Sequence, residues 1–488
     1  MADIISFKKG SQLQALTSSD RLCYAIQPFI QEILNQFVIL KDLGEAILRS
    51  AAKHEKVVAK LFDLQENDPV NSFSLKEKFL FPDRNHWQIL NFSNGRFPDF
   101  LNKRGALAIQ DREFVRQFHH LLYLCGQSRF TYQEISSQIG DQMQPILEVF
   151  LQSWVLQQKT FLPSVSPTLE SGVYRLQHAA LLYRSQTTGI LVDPHLHSNY
   201  GIPNLNADIS RAMLEGLVDG ILISHSHYDH WHYPTLMQFS PDIPIIVPRV
   251  PRGSITCEDM AAQLREIGFT NVYDVPWHSD PIKFGDIDVH VLPFYGEQVL
   301  VPEHPQPVHP ELKNWGNTYL IETDSYRSWF LIDAGIEPEH SILDVADEVY
   351  DRFGAIDWVV SNFQPLSYNS IGVDITSWGL DIVSNLLSNP PILGVTCQSQ
   401  GEYTATLGPK GVAEVCAKVK AKACLPYADS WANLGEPTAH DQILISQVKS
   451  YLQDLGCQTI VYPWNIGNGL TPIGLRQGFV SNAPATSI

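Results

Sequence analysis

Apolar positions recur along this chain with two different periods. Up to about residue 165 the period is mainly helical, and within residues 43–64 apolar side chains return every three or four positions. Thr131 is followed three residues later by Glu134, a capping-box pattern that opens a helix, and Pro145 is placed to open the next one. We therefore predict a mainly helical N-terminal domain.

Short runs of β-branched and aromatic residues dominate from about residue 170 onward, interleaved with helical stretches such as residues 257–268. Residues 162–167 contain two prolines and two serines, which indicates a linker. A chain of 488 residues has room for two domains. We predict one over residues 1–165 and an α/β domain over residues 170–488.

One loop concentrates metal-binding side chains directly after an apolar strand. Residues 224–230 read SHSHYDH and follow Ile221-Leu222-Ile223. Because His225 and His227 are two residues apart, an extended backbone sends both to the same side. Asp229 and His230 could serve a second metal after the chain turns. Imidazole and carboxylate are ligands of first-row metals, so the loop predicts a site for two metal ions.

The same order of strand and then carboxylate recurs at three more places. Asp193 follows residues 189–192, Glu297 follows residues 289–292, and Asp333 follows residues 329–332. Gly296 and Gly335 lie beside the last two and would allow a tight ligand loop. The chain thus offers further carboxylates to the histidine loop.

Two more histidines follow Asp193, and their role stays open on the sequence alone. His195 and His197 have the spacing of a metal pair, and a place near the site and an ordinary loop role are both compatible with it. Trp231 and His232, which follow the histidine loop, are expected to line the wall of the site.

The order HxHxDH after a strand resembles the metal-binding motif of the metallo-β-lactamase fold superfamily. The resemblance implies a metallo-β-lactamase-like αββα sandwich. It implies that Asp193 binds no metal but accepts the N–H of a ligand imidazole, and that Asp333 bridges both metals.

Two positions depart from the hydrolytic members of that superfamily. Glu297 stands where they commonly carry a third histidine for the first metal. The late histidine that closes their second site is missing, and Asp429 could replace it or be an ordinary loop residue. His440, the nearest histidine, lies in a stretch typical of a helix start. Because oxygen donors suit harder metals than zinc, these changes favour two irons and O2 chemistry.

A narrower resemblance is to the diiron β-hydroxylases of nonribosomal peptide assembly, of the chloramphenicol-pathway aminoacyl type. It is carried by residues 224–232 (SHSHYDHWH), 292–298 (LPFYGEQ), 314–319 (NWGNTY) and 331–335 (LIDAG). The resemblance implies His225, His227 and Glu297 on one iron. It implies Asp229 and His230 on the other, with Asp333 shared.

That resemblance implies an enzyme of natural-product biosynthesis that uses O2 and an electron donor protein or other reductant. Its substrate would be an amino-acid or peptidyl group, free or on a carrier protein, hydroxylated at the β-carbon. Asp229, Glu297 and Tyr228 are the expected catalytic residues, with the Tyr228 phenol placed to hydrogen-bond oxygen at the metals. The alternative is a dizinc hydrolase of an ester, thioester, amide or phosphodiester, in which Asp229 orients the nucleophile. A binding protein without activity is the third hypothesis.

Composition argues against several kinds of partner and location. The formal net charge of −18 argues against nucleic acid as a partner. Seven cysteines without CxxC spacing argue for a reducing cytoplasm, and no apolar run is long enough to cross a membrane. The N-terminal domain is expected to dock a partner or form a homodimer, or else to be only a helical packing unit.

Overall fold

The computed structural model describes most of the chain. Described are residues 3–8, 10–67, 69, 74–81, 87–95, 103–109, 111–160, 169–196, 209–227, 229–254, 257–296, 314–337, 339–365, 404, 406–428 and 439–479. Within these ranges, no helix is both long and apolar enough to cross a membrane.

The N-terminal region contains seven helices among its described residues. They are α1 (Ser18–Leu40), α2 (Leu43–Lys53), α3 (Glu55–Leu61), α4 (Glu77–Leu80), α5 (Arg112–Gly126), α6 (Tyr132–Gln138) and α7 (Gln144–Gln152). The helical pattern over residues 43–64 is broken at His54 into α2 and α3. At α6 the capping box of Thr131 and Glu134 is formed in both directions, as predicted. Pro145 lies in the first turn of α7, also as predicted.

Strands also occur in this region, which the apolar pattern did not predict. They are β1 (Asp3–Phe7), β2 (Gln12–Thr17), β3 (Phe62–Asp63), β4 (Ser74–Leu75), β5 (Trp87–Ser93), β6 (Arg104–Ala108) and β7 (Leu156–Thr160). β2, β5 and β6 form an antiparallel sheet, and β1 pairs with β7. Several of these strands, such as LQQKT in β7, carry little apolar alternation, so periodicity alone does not reveal them.

Two larger sheets follow. The first has eight strands in the order β13-β12-β11-β10-β9-β8-β21-β22, and the second has seven in the order β14-β15-β16-β17-β18-β19-β20. The first sheet's strands are β8 (Gly172–Gln177), β9 (Ala180–Arg184), β10 (Gly189–Val192), β11 (Gly220–Leu222), β12 (Ile245–Pro248), β13 (Val272–Val275), β21 (Asn468–Thr471) and β22 (Gly474–Gln477). The second sheet's strands are β14 (Ile282–Phe284), β15 (Ile287–Pro293), β16 (Asn317–Glu322), β17 (Arg327–Ile332), β18 (Trp358–Ser361), β19 (Ala423–Pro426) and β20 (Ile460–Val461).

The two sheets pack face to face, with helices outside. Tyr183 from the first sheet and Trp329 and Phe330 from the second belong to one buried cluster. The later helices are α8 (Tyr233–Leu236), α9 (Met260–Ile267), α10 (Ile342–Phe353), α11 (Gly408–Lys418) and α12 (Ala439–Asp454), with a 3₁₀ turn at Arg211–Leu214. Buried residues of α10, α11 and α12 join that same cluster, so these helices cover the second sheet.

The outer face of the first sheet packs against the N-terminal region. A second buried cluster contains Leu13 and Phe118 from that region together with Leu182 and Ile221 from the sheet. The two parts of the chain therefore share one hydrophobic core. The linker predicted at residues 162–167 lies outside the described residues, and the domain boundary near residue 165 stays a prediction.

We expect Thr131→Ala to destabilise the N-terminal region by about 1 kcal/mol, because it removes the side chain that caps α6. Thermal and denaturant unfolding would measure the change. Thr131→Ser keeps the capping hydroxyl and is the matched control. Equal stability of the alanine and serine variants would contradict a role for this cap.

Candidate metal centre

The ends of four strands meet where the two sheets adjoin. The strands predicted before Asp193, the histidine loop, Glu297 and Asp333 are all present, as β10, β11, β15 and β17. β10 and β11 are parallel neighbours, so their carboxyl ends deliver Asp193 and Ser224 to the same edge. β17 and β18 are parallel in the second sheet and deliver Asp333 and Asn362 in the same way.

Three of the predicted ligands form one buried cluster. His225, His230 and Asp333 each offer a ligand atom, and these atoms lie within 4.8 Å of one another. His230 Nε2 is 2.8 Å from Asp333 Oδ2 and 3.4 Å from Asp229 Oδ2. The ring of His225 lies 4.6 Å from that of His227 and 4.2 Å from that of His230. The arrangement therefore brings five of the predicted metal ligands together.

Asp193 is a buried acceptor beneath the histidine loop. Its Oδ1 accepts from the Ser224 backbone N–H at 2.7 Å, and its Oδ2 accepts from Ser224 Oγ at 2.6 Å. The same Oδ2 accepts from His230 Nδ1 at 2.9 Å and from the Tyr427 hydroxyl at 3.1 Å. Because an ionised carboxylate only accepts, each of these partners must donate.

That requirement fixes which ring nitrogen of His225 and of His230 faces the cluster. His230 Nδ1 therefore carries a proton, and Nε2 is the nitrogen that faces Asp229 and Asp333 and could bind a metal ion. Ser224 gives its only hydroxyl proton to Asp193, so its oxygen must accept from His225 Nδ1, 2.9 Å away. His225 therefore also presents the Nε2 lone pair. A single buried carboxylate thus sets how both imidazoles present Nε2, the arrangement that a metal site would need.

Asp333 is oriented by an amide from the neighbouring strand. Asn362 Nδ2 donates to Asp333 Oδ1 at 2.7 Å, which leaves Oδ2 directed at His230. Sequence reasoning missed Asn362, although it directly follows a buried strand as the predicted carboxylates do.

A histidine absent from the sequence prediction lies beside Asp229. His178 Nε2 is 3.0 Å from Asp229 Oδ2, and its ring centroid is 6.3 Å from that of His230. His178 occupies the turn between β8 and β9, about fifty residues before the motif. Only the pairing of β9 with β10 and of β10 with β11 brings it to the loop.

Asn314 reaches the other side of the cluster. Its Nδ2 lies 3.2 Å from His227 Nε2, and its side chain is buried. The ring of Phe294 lies against His225 with centroids 5.2 Å apart and planes 21° apart. The ends of β15 and β16 thus close the cluster from the second sheet.

The backbone at the strand ends adopts unusual conformations. Asp193, Ile332 and His178 have φ values of +43°, +62° and +42°. Such values are costly for residues with a Cβ, above all for β-branched Ile332. Gly296 also has a positive φ, of +111°, in line with its predicted role, whereas the left-handed residue beside Asp333 is Ile332 and not Gly335.

The electrostatics of the cluster favour a bound cation. Burial alone would lower the pKa of His230, but the Asp229 and Asp333 carboxylates outweigh it and raise the pKa well above its usual range. Burial would raise the pKa of Asp229, but the His230 and His178 imidazoles hold it well below its usual range. The same negative field that favours a proton on His230 would favour a metal ion in its place.

Four residues named from the sequence lie outside the described residues: Tyr228, Glu297, Asp429 and His197. His440 lies in the first turn of α12, as predicted, and contacts Gln364. Trp231 is buried and donates from Nε1 to Glu258. His232 is buried as well, and its ring nitrogens contact Leu13 and Thr235 and not the ligand cluster.

Solved structures with a similar fold exist. A point mutant of the CmlA β-hydroxylase superposes with a TM-score of 0.56 at 14% identity, covering 94% of this chain and 99% of that one. CmlA, a diiron β-hydroxylase from Streptomyces venezuelae, gives a TM-score of 0.55 at 14% identity, covering 95% and 99%. This chain has the metallo-β-lactamase fold.

Sequence similarity points the same way over a shorter stretch. The chain is 33% identical over 122 residues to the 4-amino-L-phenylalanyl-[CmlP-peptidyl-carrier-protein] 3-hydroxylase of Streptomyces venezuelae. That match covers 25% of this chain and 23% of the relative's length. No family model matches the chain. The predicted metallo-β-lactamase fold and the resemblance to the diiron β-hydroxylases are thereby confirmed.

We expect Asp193→Asn to weaken metal binding roughly 10- to 100-fold, because an amide NH2 cannot accept the protons that set the tautomers of His225 and His230. Metal titration of the apo-protein would measure the loss. Asp219→Asn is the matched control, since Asp219 accepts from the Gly189 N–H on the same pair of strands but away from the cluster. Parent-like affinity in Asp193→Asn would contradict the role of this carboxylate.

Proposed function

We propose that this protein is a non-haem diiron oxygenase that hydroxylates an amino-acid or peptidyl substrate carried on a carrier protein. The observation that carries the proposal is the buried cluster of His225, His230 and Asp333, with both imidazoles set to present Nε2. Similarity to a carrier-protein-dependent hydroxylase supports it.

The donor set fits two metal ions. His225, His227 and Glu297 would hold one iron, Asp229 and His230 the other, and Asp333 would bridge them. Three carboxylates among six ligands are richer in oxygen than a typical dizinc site, which favours iron. His178 would support the second iron, because its imidazole contacts the Asp229 carboxylate.

When bound, the two irons would activate O2 with electrons from an external donor and insert one oxygen atom into a C–H bond, most plainly at the β-carbon. The residues around the cluster hold and orient the metal ligands. Asp193 and Asn362 fix His230 and Asp333, and Phe294 shields His225 from water. Tyr228 would hydrogen-bond oxygen at the metals.

Charge is divided unevenly along the chain, and this bears on the carrier partner. Residues 1–165 contain 18 Lys and Arg against 17 Asp and Glu, so residues 166–488 hold 16 against 35 and all of the net negative charge. An acidic carrier protein would be repelled by the catalytic part and less so by the N-terminal region. We therefore assign carrier docking to the N-terminal region.

The test begins with metal analysis of protein purified without chelators. We expect about two irons per chain, as the ligand count requires. With reductant, O2 and an aminoacyl-loaded carrier domain, mass spectrometry should show the aminoacyl group heavier by one oxygen atom. Two zincs, together with turnover of a generic ester or phosphodiester, would replace the proposal with the hydrolase.

We expect His178→Ala to weaken the second metal site roughly tenfold or more while leaving the first occupied, because His178 contacts Asp229 of the second site. Stepwise metal titration would separate the two sites. His290→Ala is the matched control, a half-buried histidine that also pairs with a carboxylate, Glu322, far from the cluster. Loss of both metals together would argue against this assignment.

A further inference from the structure

One buried imidazole joins the N-terminal region to the histidine loop. His232 lies two residues after His230 and is only 5% exposed. Its Nε2 is 2.8 Å from the backbone carbonyl oxygen of Leu13 in β2, and its Nδ1 is 2.8 Å from Thr235 Oγ1. Leu13 and His232 are 219 positions apart in the sequence.

The partners of the His232 ring determine which of its nitrogens donates a hydrogen bond and which accepts one. A carbonyl oxygen only accepts, so His232 Nε2 must carry the proton. His232 Nδ1 then accepts from Thr235, whose backbone N–H lies 3.2 Å away, and this contact caps the N-terminus of α8. Thr235 Oγ1 gives its proton to Nδ1 and in turn accepts from the Leu196 N–H at 3.0 Å.

The chain of bonds therefore spans three segments: β2 of the N-terminal region, the histidine loop with α8, and the loop after Asp193. His195, on that last loop, packs its ring 4.1 Å from the ring of His232. Both rings are buried. The contacts of His232 and Thr235 thus connect the loop after Asp193, the histidine loop and β2.

We propose that His232 is a positioning residue through which the N-terminal region forms part of the support of the metal centre. The contact holds the end of the histidine loop, so metal retention depends on β2 as well as on the ligands. The proposal rests on the proposed metal centre, but not on which metal fills it or on the reaction performed there.

The test compares two buried histidines of the full-length protein. His232→Phe keeps a ring against His195 but loses the hydrogen bonds to Leu13 and Thr235. His119→Phe is the matched control, because His119 in α5 also hydrogen-bonds a backbone carbonyl of the α/β part, that of Phe239, at 3.1 Å. Its ring packs at a tilt against Phe269, away from the cluster. The readout is the rate at which bound Fe²⁺ or Zn²⁺ passes to an excess of chromogenic chelator.

We expect His232→Phe to release metal about tenfold faster than the parent, within the range known for residues that support metal ligands. His119→Phe should release metal at the parent rate even if its melting temperature falls. Equally faster metal release from both variants would show that the effect is general destabilisation and would overturn the inference. A parent rate in a folded His232→Phe would overturn it as well.

A second pair of variants applies should His232→Phe fail to fold. Thr235→Val removes the hydroxyl that His232 and Leu196 share, whereas Thr235→Ser retains it. Faster release from the valine variant and the parent rate from the serine variant support the inference, and equal rates overturn it. A parent that retains zinc but not iron contradicts the iron assignment alone, and a parent that retains neither metal contradicts both proposals.

Discussion

The site depends on one buried carboxylate. Asp193 is fully removed from water, and its two oxygens accept four protons from Ser224, His230 and Tyr427. A buried charge is tolerated only when it is fully hydrogen-bonded, so these partners have little freedom to move. Burial, together with the negative charge of Asp193, raises the pKa of Tyr427 well above its usual range and keeps that phenol a donor. Which ring nitrogen His225 and His230 present to the cluster follows from this arrangement.

The surrounding sandwich has to hold that arrangement against strain. Asp193, Ile332 and His178 keep left-handed backbone conformations, each at a cost of about 1 kcal/mol or more. Ile332 is completely buried between the sheets, and β17 and β18 change register beside it. Burial of the large apolar cluster between the two sheets can offset this conformational cost. The strained backbone positions and the predicted metal ligands lie at the same strand ends, because the chain must turn sharply there for the ligands to face one another.

Features that depend on neighbouring residues were predictable from the sequence. The histidine loop, the strands before each carboxylate and the capping box of α6 all depend on residues a few positions apart. Ser224, His178, Asn362 and Tyr427 were missed as parts of the site, because their roles arise from strand pairing and packing across long separations. Some N-terminal strands were missed for a related reason. A segment such as LQQKT in β7 has little apolar alternation of its own and is a strand through its pairing with the distant β1.

The connection to β2 changes how the N-terminal region should be regarded. A domain joined only by a linker could move without disturbing the metals. Here the Leu13 carbonyl bonds an imidazole two residues from His230, and Leu13 also lies in the core shared with the first sheet. A shift of β2, such as the proposed docking of a carrier protein would cause, would act on the end of the histidine loop. On the proposed function, recognition of a carrier protein and the geometry of the metal ligands would be coupled through packed, hydrogen-bonded contacts rather than through a flexible tether.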